Sequence, residues 1–239
     1  MVALLAVGAA GCGSASSTST TKTTSTTAAK QASDPAAPNA IPAGAVAVVV
    51  GTPITHATFN HWMTVAAKSQ ASQTPGAPVI VPDPPDYKGC VAQVRKHLPS
   101  LEKKPTKTIV ADCRQLFRSL SSQVMDFLIK ANWIQADAAR QGIVFTDAQV
   151  AATYTKDKQQ QFPGGKGYPA FLAKTGQTDQ DVRFRIRINL IFGRLAAREK
   201  GSTNARQTAV DKREKQLFSG QTRCAPLVLM ADCGNYGAG

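Results

Sequence analysis

Histidine, the side chain most often used for acid–base and metal chemistry, is rare in this sequence. The three histidines are His56, His61 and His97. His56 and His61 are five positions apart, whereas residues on one helical face are three or four apart. A metal ion held by both from one helix is therefore disfavoured. The histidine pattern therefore predicts no metal centre.

A glycine-rich stretch is a second candidate site, because glycine-rich loops can bind phosphate groups. Gly164-Gly165-Lys166-Gly167 contains a Gly-Lys pair, but it lacks the GxxxxGK[ST] spacing and no strand is predicted before it. We interpret it as a loop. No nucleophile elbow is present, although a Ser-His-Asp arrangement stays open as an alternative. We therefore predict no catalytic residue, no cofactor and no metal ion, with an unrecognised enzyme as the alternative.

The cysteines indicate an oxidising compartment. Apart from Cys12 the chain contains an even number, namely Cys90, Cys113, Cys224 and Cys233. Proximity along the chain favours a Cys90–Cys113 and a Cys224–Cys233 disulfide. A zinc site is the alternative, but no pair has the close spacing of a zinc knuckle.

The N-terminal region is typical of an exported lipoprotein. A short apolar run ends in Ala9-Ala10-Gly11-Cys12, which is the pattern of a lipoprotein cleavage site. We predict a signal peptide at 1–12, lipidation of Cys12 and a disordered Ser/Thr-rich tether at 13–40. No basic residue precedes the apolar run, so we expect the true start to lie upstream. An Ala-rich disordered end is the alternative.

The net charge of +13 favours anionic partners. Lipid headgroups, cell-wall polymers and acidic stretches of other proteins all fit this charge. Nucleic acid is disfavoured, because the chain is predicted to be exported and its basic residues are dispersed. We expect a protein outside the cytoplasm, held at the membrane by its lipid.

Hydrophobic spacing predicts a mainly helical domain over residues 41–239. The strongest pattern, from 106 to 141, has apolar residues at i, i+3 and i+4 and predicts one long amphipathic helix. Thr146 with Gln149, and Thr178 with Asp181, are placed to cap helices. The predicted helices are 55–72, 90–98, 106–141, 146–162, 169–174, 178–200 and 205–218.

Two β-prone runs, at 46–50 and 227–230, lie near opposite ends of this domain. A single strand leaves its backbone hydrogen-bonding groups unpaired, so each run needs a partner. We predict that they form a small two-stranded β pair that joins the N- and C-terminal ends against the helices.

Three stretches carry a resemblance to a known family. They are VAVVVGTPITHATFNHWM, LIKANWIQADAARQGIVFTDAQVAATYTKDKQQQF and PAFLAKTGQTDQDVRFRIRINLIFGRL. Their order of strand, long helix, crossover and capped closing helix resembles the N-terminal chaperone domain of the SurA and PrsA foldases, over about residues 45–200. The resemblance implies a helical domain that binds unfolded or newly secreted polypeptides.

Members of this family commonly carry a parvulin prolyl isomerase domain after the closing helix, with a histidine pair beside Cys or Asp in its active site. Here only residues 201–239 follow, and every histidine precedes them. We expect no parvulin domain and no isomerase activity. The alternatives are an isomerase-family protein with residual activity, or a basic lipoprotein that binds cell wall or another anionic polymer.

A chaperone that only holds its clients needs exposed apolar surface rimmed by polar groups. Core packing is the alternative for every aromatic residue at helical spacing, and a solvated face is the alternative for the basic ones. The candidate client contacts are Phe59, Trp62, Met63, Phe117, Trp133 and Tyr168, with Arg114, Arg118, Arg183 and Arg187 to attract acidic clients.

Overall fold

The computed structural model describes residues 40–237, which belong to one compact unit, Pro38–Gly239. The predicted signal peptide, Cys12 and residues 13–39 of the predicted tether lie outside the described residues. The elements in chain order are β1 Ala45–Val49, β2 Thr52–Thr55, α1 His56–Ala71, α2 Lys88–His97, α3 Thr106–Arg140, α4 Asp147–Gln161, α5 Tyr168–Thr175, α6 Asp179–Ala196, α7 Thr203–Phe218 and β3 Thr222–Cys224. This part of the chain is mainly helical, as predicted.

β1 is the central strand of a small antiparallel sheet with the order β2-β1-β3. Val50 and Gly51 have φ values of +49° and +78°, as in a tight two-residue hairpin loop, so the chain folds straight back as β2. On its other side β1 pairs with β3, with Val48 opposite Arg223. The expected meeting of the two ends of the domain in a sheet is therefore confirmed.

Two details of the strand prediction are wrong. The sheet has three strands instead of two, because Thr52–Thr55 folds back beside β1 as the additional strand β2. Residues 227–230 do not form a strand, since Pro226–Val228 is a short 3₁₀ helix. Proline has a fixed φ that suits a first helical turn and no amide hydrogen to donate to a sheet. Residues 222–224 take the place beside β1 instead.

Helix ends follow signals that are local in the sequence. The predicted capping pairs are both present as complete capping boxes, formed by Thr146 with Gln149 at α4 and by Thr178 with Asp181 at α6. Gly142, just after α3, has a φ of +66°, which glycine adopts without steric cost. These caps explain why the starts of α4 and α6 and the end of α3 lie within one residue of the predicted positions, whereas α6 ends at Ala196, four residues before its predicted end.

The long helix α3 spans 35 residues and contacts α1, α2, α6 and α7. Its buried stripe includes Ile109, Leu120, Met125, Ile129 and Trp133. The main core lies between this stripe, the sheet, α1 and α2. Two smaller clusters follow, one between the second half of α3 and α6 with α7, and one between α4, α5 and α6.

Both expected disulfides are present. Cys90–Cys113 joins α2 to α3 with a Cα–Cα distance of 6.2 Å, and Cys224–Cys233 closes the segment after β3 at 5.8 Å. Such cross-links typically stabilise a fold by about 2–4 kcal/mol. Among the helices in residues 40–237, none has both the length and the apolar character needed to cross a membrane.

Candidate functional site

A groove of about 420 Å³ runs between β2, α1, α3 and α6. We call it the α3 groove. Each bordering element contributes at least two side chains, which is why the site exists only once the helices have packed. The lining residues are Pro53, Ile54, Thr58, Trp62, Leu128, Asn132, Gln135, Gln180, Asp181 and Phe184.

The floor of the α3 groove is apolar and aromatic. Trp62 lies 4.7 Å from Phe127 and 6.2 Å from Phe184, measured between ring centroids. Ile54 and Leu128 are buried beside them. Aromatic rings at these separations attract each other through offset and edge contacts. The bottom of the groove is therefore formed by packed aromatic and aliphatic side chains.

Arg185 packs on this aromatic cluster from outside the groove. Its guanidinium carbon lies 5.0 Å from the centroid of Trp62 and 5.1 Å from that of Phe127. Partial burial lowers the pKa of this guanidinium, and the nearby Asp181 carboxylate opposes the shift. A cation over an aromatic face stabilises the ring orientation. Arg185 therefore helps to hold Trp62 in the position from which it lines the groove.

Carboxamide side chains form the rim. Asn132 donates from Nδ2 to the carbonyl of Leu128 at 2.8 Å, and Gln135 donates from Nε2 to the carbonyl of Ala131 at 3.0 Å. Within residues 40–237, the side-chain oxygens of Asn132 and Gln135 accept no hydrogen bond. The side chain of Gln180 makes no hydrogen bond to any of these residues. Such groups are neutral and pair equally well with any peptide backbone.

A buried carboxylate, that of Asp181, lines the groove and ties α1 to α6. Asp181 Oδ2 accepts hydrogen bonds from the Thr178 amide at 2.7 Å, from the Thr178 hydroxyl at 2.8 Å and from His61 Nε2 at 2.9 Å. The same carboxylate thus caps α6 and anchors a side chain of α1. This double role sets the distance between the two helices that form the groove walls.

The six aromatic and methionine candidates are all buried. Trp62 alone among them lines the α3 groove. Phe59 and Phe117 pack edge to face in the main core, and Trp133 Nε1 donates to the hydroxyl of Thr222 at 2.9 Å. Met63 also lies in the main core, and Tyr168 lies in the α4–α5–α6 cluster. These five residues present no surface to a client, because stripes at helical spacing face neighbouring helices.

The four candidate arginines do not converge on the groove. Arg114 and Arg118 are exposed on α3, where Arg114 lies 5.8 Å from the ring centroid of Tyr87. On α6, Arg183 lies 4.0 Å from the ring centroid of Tyr154. Arg187 pairs with Asp147 and donates to the carbonyl of Phe145 at 2.8 Å. The last two are thus engaged in packing the helices.

Sequence reasoning missed the carboxamides of the rim and the His61–Asp181 contact. Leu128, Asn132 and Gln135 follow one another at i, i+4 and i+7 on α3, so they share a face at the border of the apolar stripe. That spacing was a usable signal. Gln180 and His61 carried none, because their position at the groove depends on the packing of α1 against α6.

The described residues 40–237 contain no cluster of three or more His, Cys, Asp or Glu side chains suited to holding a metal ion. The α3 groove offers aromatic and aliphatic side chains and neutral hydrogen-bonding groups. Searches of protein-family models, curated proteins and solved structures found no match to this chain.

Proposed function

We propose that this protein is an extracytoplasmic chaperone that holds extended segments of unfolded secreted polypeptides in the α3 groove. The observation that carries the proposal is the aromatic floor of Trp62 and Phe184 beside the carboxamides of Asn132 and Gln135. An apolar side chain of the client lies on the floor, and its backbone pairs with the amides.

Binding of this kind is weak and tolerant of sequence. Burial of one large apolar side chain contributes about 1.5–3 kcal/mol, and neutral hydrogen bonds to a backbone add about 1 kcal/mol each. Any large apolar residue of the client can supply the first term, and any peptide backbone can supply the second. A holding chaperone needs this combination, because it must accept many sequences and release them.

The two disulfides and the lipoprotein-like start of the sequence support a location outside the cytoplasm. We propose that Cys12 is lipidated and anchors the protein at the membrane. Replacement of Cys12 by serine should release the protein from the membrane fraction. Unchanged fractionation would count against the anchor.

Light scattering of a chemically denatured client, with and without the full-length protein, tests the chaperone proposal. Gln180→Trp places a large ring at the exposed groove rim and should reduce suppression of aggregation. Gln159→Trp is the matched control, since Gln159 is exposed on α4 outside the groove. Absence of suppression by wild type, or equal suppression by both variants, would refute the proposal.

A second candidate function, binding of an anionic polymer, rests on the net charge of +13. Salt separates the two candidates. Client holding through apolar and neutral groups should be modestly sensitive to salt, whereas polyanion binding should fall steeply as ionic strength rises. A coupled assay with a proline peptide tests the isomerase alternative, and we expect no rate above the spontaneous one.

A further inference from the structure

A second cavity, of about 340 Å³, lies where the chain crosses from α3 to α4. We call it the crossover pocket. Its lining includes Val144, Arg194 and Arg198. We propose that this pocket binds the C-terminal carboxylate of a peptide that ends in an apolar residue. The proposal goes beyond the chaperone function and does not depend on the α3 groove.

The cationic side of the pocket consists of two guanidinium groups without an acidic partner. Arg194 and Arg198 are four residues apart at the end of α6, and both are exposed. Arg198 donates from Nη1 to the side-chain oxygen of Gln141 at 2.8 Å, which is a neutral acceptor. No ion pair within the described residues involves either arginine. Two neighbouring like charges repel each other, and a bound carboxylate would relieve that repulsion.

The other side of the pocket is apolar and carries free backbone groups. Val144 is 79% exposed, more than any other large hydrophobic residue of the described chain. Its neighbours use their backbone groups: the Ile143 amide donates to Ala138 at 2.9 Å, and the Phe145 carbonyl accepts from Arg187 at 2.8 Å. In the part of the chain that the structure describes, the amide and carbonyl of Val144 make no hydrogen bond.

These features match the end of a polypeptide better than a free anion. The two arginines provide planar, charge-assisted hydrogen bonds to a carboxylate. Val144 provides apolar contact for the last side chain, and its free amide and carbonyl can pair with the last peptide unit. Inorganic phosphate would use the arginines alone and leave Val144 exposed.

Fluorescence anisotropy with the full-length protein tests the proposal. The probe is a short peptide ending in leucine, labelled at its N-terminus, prepared with either a free carboxylate or an amide at its C-terminus. The free carboxylate should bind about tenfold more tightly, as expected for hydrogen bonds to charged groups. The double variant Arg194→Gln/Arg198→Gln should lose this preference, and Val144→Asp should weaken binding of the carboxylate form.

The matched control is Arg114→Gln/Arg118→Gln, which removes two exposed charges at the same spacing from α3. This variant should keep the tenfold preference. Equal affinity for the two peptides, or an equal loss in the control variant, would overturn the proposal. The proposal would also be overturned if inorganic phosphate or phosphatidylglycerol vesicles displaced the peptide while the carboxylate and amide forms bound equally well. Aggregation suppression should be unchanged in the Arg194→Gln/Arg198→Gln and Val144→Asp variants, so the two proposals fail separately.

Discussion

Two regions of this fold shift the pKa of a carboxyl group in opposite directions. Between α4, α5 and α6, Asp179 accepts hydrogen bonds from the hydroxyls of Tyr154 and Tyr168. These bonds, with Lys158 nearby, lower the pKa of Asp179 although burial opposes them. At the interface of α3 and α7, Glu214 is 1% exposed and its Oε1 has no hydrogen-bond partner within the described structure.

The consequence for Glu214 is a shift in the other direction. Burial raises its pKa from the usual 4.5 to about 8, and Asp137 and Asp211 add to the shift. Arg213 and Lys130 oppose it. The comparison shows that two hydrogen-bond donors lower the pKa of the exposed Asp179, whereas burial without a donor raises the pKa of Glu214.

The largest effect is expected where a buried charge would lose its partner. Arg213 donates to Asp137 Oδ2 at 2.7 Å and also pairs with Glu199. Arg213→Met should therefore cost about 3–5 kcal/mol of unfolding free energy, because Asp137 stays buried without its cation. Chemical denaturation at neutral pH measures the loss. Arg206→Met on the same helix is the control, and a similar loss there would contradict this reading.

Glu214→Gln should act in the stabilising direction and change the pH dependence. The raised pKa means that the wild type has its full stability below about 4.5 and loses it as pH rises through about 8. The neutral amide avoids that loss, so the variant should be more stable by about 1–3 kcal/mol above pH 8.

Unfolding curves recorded across this pH range measure the difference between the variant and the wild type. Glu102→Gln, at an exposed position, is the control and should follow the wild type at every pH. A stability difference for Glu214→Gln that is the same at all pH values would show that the carboxyl does not titrate in this range.

Asp179→Asn should have a smaller effect, below about 1 kcal/mol, because Asp179 is exposed, solvent screens its charge and the amide oxygen still accepts from the tyrosines. The sign of the pH dependence is reversed here. A lowered pKa contributes stability above the usual value of 3.8 and loses it as pH falls through the folded-state value. In acid unfolding followed by circular dichroism, the loss of stability with falling pH should be less steep in the variant. An unchanged pH dependence would contradict the lowered pKa of Asp179.

The smallest effect is expected at an exposed ion pair. Lys104 and Asp112 lie 3.7 Å apart, with side chains 44% and 55% exposed. Asp112→Asn should change the unfolding free energy by less than about 1 kcal/mol at any pH where the fold is stable. Chemical denaturation measures this change in unfolding free energy. A larger loss would mean that the exposure of an ion pair does not indicate how much it stabilises the fold.

The helices were predictable because their signals are local. Thr146 with Gln149, and Thr178 with Asp181, cap α4 and α6 through contacts within one helical turn. The prediction of a strand at 227–230 was wrong, because a short apolar run does not reveal whether a neighbouring strand is available to pair with it. The pairing of β3 with β1 depends on where α7 delivers the chain.

The candidate site was predictable only in part. Trp62 was identified from its aromatic character and helical spacing, but the same pattern also selected Phe59 and Trp133, which are core residues. Periodicity reports that a residue faces a neighbouring element. It does not report whether a groove is left open in front of it.

By itself, the sequence determined the helical segments, their caps and the two cysteine pairs, because these depend on residues close together in the chain. Only the tertiary structure decided which aromatic ring lines the α3 groove and that Asn132, Gln135 and Gln180 surround it. It also decided that Glu214 lacks a donor while Asp179 has two. Those outcomes depend on the distance and angle between helices far apart in sequence, which no local pattern encodes.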